Sequence, residues 1–299
     1  MISIIIPNLN SKIIPLTLAA LHSQNYSMEE AEVLVVGVDE LNFVTEDRLV
    51  RHISTGKPVN AAAARNIGLR QSKGDPILFL DSDCIPIQTW VNTMVRSIRV
   101  FGAEVVGGAI RFPRGNLWTL ADNVAMFRSS LPFTERDPRP FLPTLNLSFS
   151  RNVFLDVGEL DETLTCSEDI DWTVRCRKKG YRLHFEPRAA VCHLPSRATF
   201  EAVMTHWTLT GRYMSEVLVR HQEMLHPPSV IRYRWLMVAF SPVIAAYLSG
   251  RLFSSALRRM YIYLDIFPLI FLAELAWCWG VFRGLPKRAA RHGSRSFRF

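Results

Sequence analysis

The segment Ile77-Leu78-Phe79-Leu80-Asp81-Ser82-Asp83 decides how this chain is expected to fold. Four consecutive apolar residues predict a strand that is covered on both faces of a sheet, and two carboxylates one residue apart follow directly. In extended backbone the side chains of Asp81 and Asp83 point the same way, so they can offer oxygen ligands to a hard divalent cation. A solvated turn with a helix cap is the alternative interpretation of so short a motif.

The sequence around this segment alternates short apolar runs with longer stretches of helical periodicity. It predicts strands at residues 2–6, 32–38, 49–53, 76–80 and 104–106, and helices at 14–23, 59–72 and 90–101. Such alternation is typical of an α/β fold with a single, mainly parallel sheet flanked by helices. Ligands of such sheets bind at the carboxyl ends of the strands, which is where Asp81 and Asp83 lie.

Residues 108–225 are expected to complete the same domain. A strand is predicted at 144–149, a helix at 167–179 that ends at Gly180, two short extended pieces at 182–185 and 189–192, and a long helix at 199–223. We therefore expect one domain over residues 1–225, with halves at 1–107 and 108–225, closed by His226-Pro227-Pro228.

Two hydrophobic stretches, at 235–248 and 261–282, follow that boundary. The first contains Pro242 and is short for a membrane span, while the second carries Asp265 and Glu274. Basic residues flank both stretches, and residues 283–299 hold six basic residues and no acid, which conflicts with a simple two-span hairpin. This pattern favours helices in residues 228–299 that lie in a membrane surface or re-enter it. Two spans and a buried soluble helix pair are the alternatives.

The composition narrows the class of protein and its compartment. An apolar content of 48% excludes general disorder in the 299-residue chain, and a net charge of +8 fits nucleic acid, an anionic membrane or a phosphorylated substrate. The basic residues cluster beside the apolar stretches, so no nucleic-acid partner is expected. Five cysteines without a C-x-x-C pair indicate a reduced, cytosolic setting, and the run Ile2–Ile6 is too short for a signal peptide.

Three further motifs accompany the paired carboxylates. The helix that starts after Asn60 begins with four alanines and then presents Arg65 and Asn66, which could reach a phosphate or a sugar. The segment from Glu168 to Asp171 places three acids at a helix start, where the helix dipole would favour acids even without a catalytic role. His193 could be a metal ligand or a structural histidine.

With these residues in this order, the chain resembles a family 2 glycosyltransferase with the nucleotide-binding glycosyltransferase A fold, over about residues 1–215. The resemblance rests on an ordered set of signals: Pro7-Asn8-Leu9-Asn10, an acid after the second strand, Ala64-Arg65-Asn66-x-Gly68, Asp81-x-Asp83, Gly158-x-Leu160-Asp161-Glu162, Glu168-Asp169 and His193. It implies an inverting transferase with a Rossmann-like nucleotide-diphospho-sugar transferase fold, in which residues 1–107 bind the nucleotide-sugar and residues 108–225 face the acceptor.

The resemblance also implies roles for individual residues. Asp83 and His193 would hold a divalent metal, Mg²⁺ or Mn²⁺, with Asp81 in support, and Asp169 would be the catalytic base. The implied contacts to the donor are Pro7, Asn10, Asp39, Arg65, Asn66, Asp81 and Ser82, and those to the acceptor are Asn146, Arg151, Glu168 and Trp172. Because the second strand ends Gly37-Val38-Asp39-Glu40 rather than in an acid pair, the base of the nucleotide stays open.

Three further segments of the sequence bear on the acceptor and on the competing functions. The hydrophobic C-terminal third predicts a lipid-linked or polysaccharide acceptor, met at the cytoplasmic face of a membrane through residues 235–282. The segment at Trp207 lacks the Q-x-x-R-W signature of processive relatives, so a single addition is expected. A sugar nucleotidyltransferase should carry a glycine-rich loop after the first strand, and residues 7–12 contain no glycine. A non-catalytic relative would be expected to lose an acid or the histidine, and all are present.

Overall fold

The computed structural model describes residues 1–134, 139–227, 233–254 and 261–285. The strands are β1 (Ile2–Leu9), β2 (Ala31–Val38), β3 (Val50–Ser54), β4 (Ile77–Leu80), β5 (Cys84–Pro86), β6 (Val105–Arg111), β7 (Asn146–Phe149) and β8 (Leu183–His193). The helices are α1 (Ile14–His22), α2 (Ala61–Gln71), α3 (Trp90–Arg99), α4 (Leu117–Met126), α5 (Arg151–Val157), α6 (Glu168–Lys178), α7 (Phe200–Arg220), α8 (Gln222–Leu225), α9 (Arg234–Ala239), α10 (Ser241–Ser254) and α11 (Phe267–Gly284). Pro228 and the basic tail beyond residue 285 lie outside the described residues.

All eight strands form one sheet in the order β3-β2-β1-β4-β7-β6-β8-β5. The pairs on the β3 side of β4 are parallel, β7 runs antiparallel to both of its neighbours, and β6 and β8 are parallel again. The chain is therefore an α/β protein with a mainly parallel sheet, as the alternating sequence pattern predicted. The parallel half brings the carboxyl ends of β1, β2 and β4 to the same edge.

Helices cover both faces of this sheet. Alternate side chains of β1 therefore enter two different cores, one on each face. Ile2, Ile4 and Ile6 pack into the core beneath α1 and α3, whereas Ile5 faces the second core beneath α2 and α6. Complete burial of such a side chain stabilises a fold by roughly 1.5–3 kcal/mol. The continuous apolar run of β1 follows from this two-sided burial.

One prediction about the strands was wrong. The two extended pieces expected at 182–185 and 189–192 are a single strand, β8. Its register against β6 shifts between Gly108 and Ala109, because Glu186 pairs with Gly108 and Ala190 is the next residue in register. Pro187 has no N–H to donate to the ladder, and Arg188 turns back to hydrogen-bond Glu186, so the sequence pattern is interrupted while the strand continues.

The C-terminal helices pack on the rest of the chain. One core cluster joins α4 and α7 to Leu252, Phe253 and α11, so this core crosses the boundary expected at residues 226–228. The two acids of the second hydrophobic stretch are paired with arginines from the preceding part of the chain: Glu274 with Arg128, and Asp265 with Arg114. Among the described residues, one helical segment, Tyr263–Gly284, is long and apolar enough to cross a membrane, and 39% of it is buried within the protein.

Candidate functional site

The end of β4 directs its two carboxylates into a cleft. The N–H of Asp81 bonds the carbonyl of Leu145 on the neighbouring chain segment, and the carbonyl of Asp81 accepts from the N–H of Cys84. The carbonyl of Ser82 accepts hydrogen bonds from the hydroxyls of Ser11 and Thr17, at the end of β1 and in α1. The turn that holds Asp81, Ser82 and Asp83 is thus fixed from both sides.

His193 reaches the same cleft because β5 pairs antiparallel with the last residues of β8, so that Cys84 lies opposite His193. The His193 Nε2 atom is 3.5 Å from Oδ2 of Asp83, and Nδ1 is 2.8 Å from Oδ1 of Asn123 on α4. An amide oxygen can only accept, so Nδ1 donates its hydrogen to Asn123 and Nε2 is the ring nitrogen that faces Asp83. An imidazole nitrogen and a carboxylate that face each other can share a cation, which is either a proton on Nε2 or a metal ion.

The chemistry of this donor set fits a hard divalent metal. One ligand atom each from Asp83, Cys84 and His193 lie within 4.8 Å of one another. Although burial opposes ionisation of Asp83, the hydrogen bond and charge of His193 hold its pKa below the usual range, so this carboxylate is charged at neutral pH. Burial raises the pKa of the Cys84 thiol well above its usual value, which leaves oxygen and imidazole ligands as the available set.

A second group of acids enters the cleft from the start of α6. Arg65, buried in α2, donates from one guanidinium nitrogen to Oδ1 of Asp81 and from the other to Oε1 of Glu168, the latter at 3.0 Å. The Arg65 side chain is only 2% exposed. Arg65 also lies over the ring of Phe79, with 5.6 Å from the guanidinium carbon to the ring centre. It therefore links the end of β4 to the start of α6 at the wall of the cleft.

The two neighbouring acids of α6 ionise at unusually high pH. Burial, followed by the charge of Asp169, raises the pKa of Glu168 to about 7. Burial also raises the pKa of Asp169, although the N–H of Ile170 and the charge of Arg65 act against it. Asp169 is thus a more effective proton acceptor near neutral pH than an ordinary aspartate would be.

These groups line one cavity of about 270 Å³. Its wall includes Asp81, Asp83, His193, Glu168 and Asp169. Further lining residues come from the loop before α6, the loop before α7 and α7 itself: Thr165, Cys166, Arg197, His206 and Thr210. The structure therefore brings the expected metal ligands and the expected base into the lining of one cavity, and Arg65 links Asp81 to Glu168 within it.

Sequence reasoning missed a buried network behind this cavity. The Asp122 carboxylate, on α4, accepts hydrogen bonds from Arg197 at 2.8 Å, His206 at 3.2 Å and Trp207 at 2.9 Å. Burial opposes its ionisation, but the bonds from His206 and Arg197 lower the pKa of Asp122 to about 2. The signal in the sequence is the polar pair Asp122-Asn123 inside the otherwise apolar segment 117–126.

Four expected donor residues lie along the adjoining edge, at or after the ends of β1, β2 and β4: Pro7, Asn10, Asp39 and Ser82. Asn10 has a left-handed backbone, with φ of 52°, and its side chain exchanges hydrogen bonds with Glu40. The Asp39 carboxylate accepts the N–H groups of Phe43 and Val44, so it shapes its own loop. Gly37 allows β2 to lie close to Asn8 of β1, since a Cβ at position 37 would lie 1.9 Å from the carbonyl oxygen of Asn8.

Two residues expected to bind ligands are instead enclosed in the core, and those expectations are corrected. The Asn66 side chain bonds the backbone of Leu160 and the carboxylate of Glu162. The Asn146 amide donates to the carbonyls of Ala109 and Ala189 and accepts from Trp90. Both side chains are fully buried, and their amides are bonded to backbone and side-chain groups of the protein itself.

Trp172 and Arg151 are also misplaced for acceptor contacts. Trp172 is fully buried, packs on Phe149 and donates its indole N–H to Gly158. Arg151 donates to the Gly74 carbonyl and the Ser72 hydroxyl, at the amino end of β4. Because β7 runs antiparallel to β4, the residues after its end lie at the opposite edge from Asp81. Of the four acceptor residues expected, only Glu168 lines the cavity.

Comparison with known proteins gives a consistent result. Residues 3–157 match the model of a family described as glycosyl transferase family 2. Glycosyltransferase AglE of Haloferax volcanii is 30% identical over 286 residues, which are 93% of this chain and 91% of that protein. Pre-mycofactocin glycosyltransferase of Mycobacterium tuberculosis is 24% identical over 213 residues, which are 66% of this chain and 45% of that protein.

Solved structures share the fold. A mannosyltransferase from Pyrobaculum calidifontis, in complex with GDP-Man and Mn²⁺, has a TM-score of 0.63 at 15% identity, covering 95% of this chain and 86% of that one. Residues 1–349 of S. aureus TarS, in complex with UDP-GlcNAc, give a TM-score of 0.52 at 13% identity and cover 94% and 91%. These likenesses confirm the predicted α/β fold class, a mainly parallel sheet flanked by helices.

Proposed function

The chain belongs to glycosyltransferase family 2, and we propose that it transfers a sugar from a nucleotide diphosphate donor to an acceptor hydroxyl by a single, inverting displacement. The observation that carries this proposal is the single cavity that Asp83 and His193 share with Asp169. One side of it suits a diphosphate with its cation, and the other side offers a base.

The donor is proposed to lie along the carboxyl edge of β1, β2 and β4. The loops of Pro7–Asn10 and Asp39 would meet the nucleoside, and Asp81, Ser82 and Asp83 the diphosphate. Complexes of fold neighbours with GDP-Man and UDP-GlcNAc support a nucleotide-sugar as the donor class. Arg65 serves this site as a positioning residue, since it orients the carboxylates of Asp81 and Glu168.

A divalent metal would be held by Asp83 and His193, with Asp81 in support. When bound, it stabilises the negative charge that collects on the departing diphosphate. The protein's own part is to orient the ring, because Asn123 accepts the hydrogen of Nδ1 and so leaves Nε2, on the side of Asp83, as the nitrogen that could bind the metal.

Asp169 is proposed to act as the base. The acceptor hydroxyl attacks the anomeric carbon while Asp169 takes its proton, and the bond from that carbon to the diphosphate oxygen breaks on the opposite face. A single attack of this kind inverts the anomeric configuration. Its raised pKa suits the exchange, because a carboxylate with an ordinary pKa would hold the proton weakly at neutral pH.

We further propose that the acceptor is lipid-linked or a membrane-proximal glycan, met at the cytoplasmic face of a membrane. Residues 1–225 would form the catalytic domain and residues 228–299 the membrane-associated part. An exposed apolar face on α9 and α10 supports this, with Trp235 70%, Phe240 50%, Val243 65% and Tyr247 61% exposed. Aromatic residues beside arginines are typical of the membrane interface.

The proposal is tested by incubating the full chain with a panel of nucleotide-sugars, with and without Mn²⁺ or Mg²⁺, and measuring donor hydrolysis and transfer. We expect one donor to be consumed only when metal is present, and its turnover to be lost in Asp83→Ala. Absence of binding and turnover for every donor, with folded protein, would overturn the proposed reaction.

A further inference from the structure

A second cavity, of about 490 Å³, lies between the C-terminal halves of α7 and α11. We call it the arginine groove. It is lined by Arg212, Tyr213, Ser215, Glu216, Val219, Arg220, Arg283 and Gly284. Three of these residues are arginines and one is an acid. Gly284 keeps it close to α7, since a Cβ at that position would lie 2.2 Å from the Ser215 hydroxyl.

The three arginines are not equivalent. Arg220 is occupied by carboxylates: it pairs with Asp161 at 2.6 Å, Asp171 at 3.1 Å and Glu216 at 2.8 Å. Among the residues that the structure describes, Arg212 and Arg283 have no acidic partner within ion-pair distance, and both side chains are exposed in the groove. Two unneutralised guanidinium groups in one concave space favour an anion with several oxygens.

The arginine groove continues from the cleft along one face of α7. His206 and Thr210 line the cleft, and Tyr213, Glu216 and Arg220 line the groove. Steps of three and four residues place all of them on the same side of a helix. The Tyr213 and Thr165 hydroxyls are hydrogen-bonded at 3.0 Å where the two spaces adjoin, and Thr165 belongs to the cleft wall.

The other end of the groove adjoins the exposed apolar face of α9. The Arg234 guanidinium stacks over the ring of Phe282, at 4.3 Å from its centre, and Trp235 packs on the same ring. Phe282 directly precedes Arg283 in α11. The exposed Trp235 therefore packs on the residue next to Arg283, and the sequence beyond residue 285 adds five basic residues and no acid.

We propose that the arginine groove binds the phosphate or diphosphate group of an acceptor that carries an apolar chain. Arg212 and Arg283 would hold the phosphate oxygens, the apolar chain would lie on the face of α9 and α10, and the sugar end would extend past Tyr213 to Asp169. This inference deepens the proposed function and rests on it for the direction of the sugar end. The groove itself is assigned from its charge, shape and neighbours.

The test measures binding of a long-chain alkyl diphosphate to the full chain in micelles of a neutral detergent. The variants are Arg212→Gln with Arg283→Gln, the matching pair of lysine substitutions, and Arg51→Gln as a control on the exposed edge strand β3. Each charge-assisted pair contributes enough for about a tenfold or larger change in affinity. We expect at least that loss for the double glutamine variant, partial retention for the lysine pair, and no change for Arg51→Gln.

Two further arms identify what is bound. Free pyrophosphate should bind at least tenfold more weakly than the alkyl diphosphate, and the corresponding alkyl alcohol should bind equally to wild type and variants. Equal alkyl diphosphate affinity in wild type and the double glutamine variant would overturn the proposal, as would equal binding of pyrophosphate and alkyl diphosphate. Mn²⁺-dependent nucleotide binding, measured on the same proteins, reports the cleft separately, so failure of the donor site and failure of the groove are distinguished.

Discussion

His193 and Asp83 face each other across the junction of β5 and β8, with Nε2 of the imidazole 3.5 Å from Oδ2 of the carboxylate. The ring cannot turn freely, because its Nδ1 hydrogen is held by Asn123 at 2.8 Å. The edge of the ring also meets Phe127, whose centroid is 5.3 Å away. The orientation that directs Nε2 toward Asp83 is therefore built into the fold.

Asn123→Ala should weaken metal binding without removing a proposed ligand. Loss of the hydrogen bond frees the ring and the choice of tautomer, and such supporting substitutions typically reduce metal affinity by about 10–100-fold. Titration of Mn²⁺ by electron paramagnetic resonance measures the change. Asn92→Ala, on α3, removes an amide elsewhere and is the control. Unchanged Mn²⁺ affinity in Asn123→Ala would show that His193 does not act through this contact.

Asp169→Asn should abolish sugar transfer while donor binding is retained. The amide keeps the shape of the side chain but cannot accept the proton, and loss of a general base costs typically about 10²–10⁴-fold in rate. Transfer is followed by product formation, and donor binding by calorimetry with the metal present. Asp156→Asn, which removes an exposed carboxylate paired with Lys179, is the control. An Asp169→Asn enzyme with full kcat would assign the base elsewhere.

The sequence allowed the sheet and the paired acids to be predicted because both are local signals. An apolar run that ends in Asp81-Ser82-Asp83 specifies a buried strand and the direction of the side chains that follow it. The parallel order of β1, β2 and β4 follows from the helices that connect them. Strand β8 was misread as two pieces because Pro187 and Arg188 interrupt the apolar pattern while the sheet tolerates a bulge.

The rest of the site depends on contacts between distant segments. Asp122 and Asn123 come to lie behind the cleft because α4 packs against α7 and α11, and these contacts join segments that are distant in the sequence. Conversely, Asn66 and Arg151 have residue types suited to ligand binding but satisfy backbone carbonyls. The type of a polar residue indicates what it could bind. Its position in the fold decides whether its hydrogen bonds go to a ligand or to the backbone.

Arg65→Met should destabilise the fold strongly. The substitution leaves the buried Glu168 and the partly exposed Asp81 without their common partner, and removal of one member of a buried ion pair typically costs about 3–5 kcal/mol. Urea unfolding followed by fluorescence measures the loss. Arg70→Met is the matched control, since Arg70 lies on the same helix in an exposed pair with Glu159 that contributes at most about 1 kcal/mol. Similar losses in both variants would refute the central role of Arg65.

The rate of transfer should fall as the pH decreases, and this fall should begin at a higher pH than it would with an ordinary aspartate as the base. The base must be ionised, and burial raises the pKa of Asp169 and, to about 7, that of Glu168, so the active form is lost as pH falls through these raised values. An ordinary carboxyl would titrate near about 4. The measurement is kcat/KM as a function of pH. Asp169 and Glu168 should titrate together and give a single acidic limb in this profile.

Glu168→Gln should move that acidic limb to lower pH. It removes a negative charge beside Asp169 and frees Arg65 to favour the ionised form of the base, and both effects ease the loss of the proton. Glu159→Gln, an exposed substitution near the same helix, should leave the limb in place. A limb that does not move in Glu168→Gln would show that the two acids titrate independently.

Gly280→Ala should destabilise the contact that fastens the C-terminal helix to the catalytic part of the chain. A Cβ at Gly280 would lie 2.1 Å from the carbonyl oxygen of Thr208, a backbone atom that cannot turn aside, so α7 and α11 must separate. Overpacking of this kind costs typically about 1–3 kcal/mol. Gly250→Ala in α10 meets nothing within 4 Å and should instead stabilise its helix, by about 0.5–1 kcal/mol, because alanine restricts the unfolded chain. Thermal unfolding should therefore shift in opposite directions for the two variants. Equal shifts would mean that α11 does not pack on α7 through its glycines, and the arginine groove between those helices would lose its structural basis.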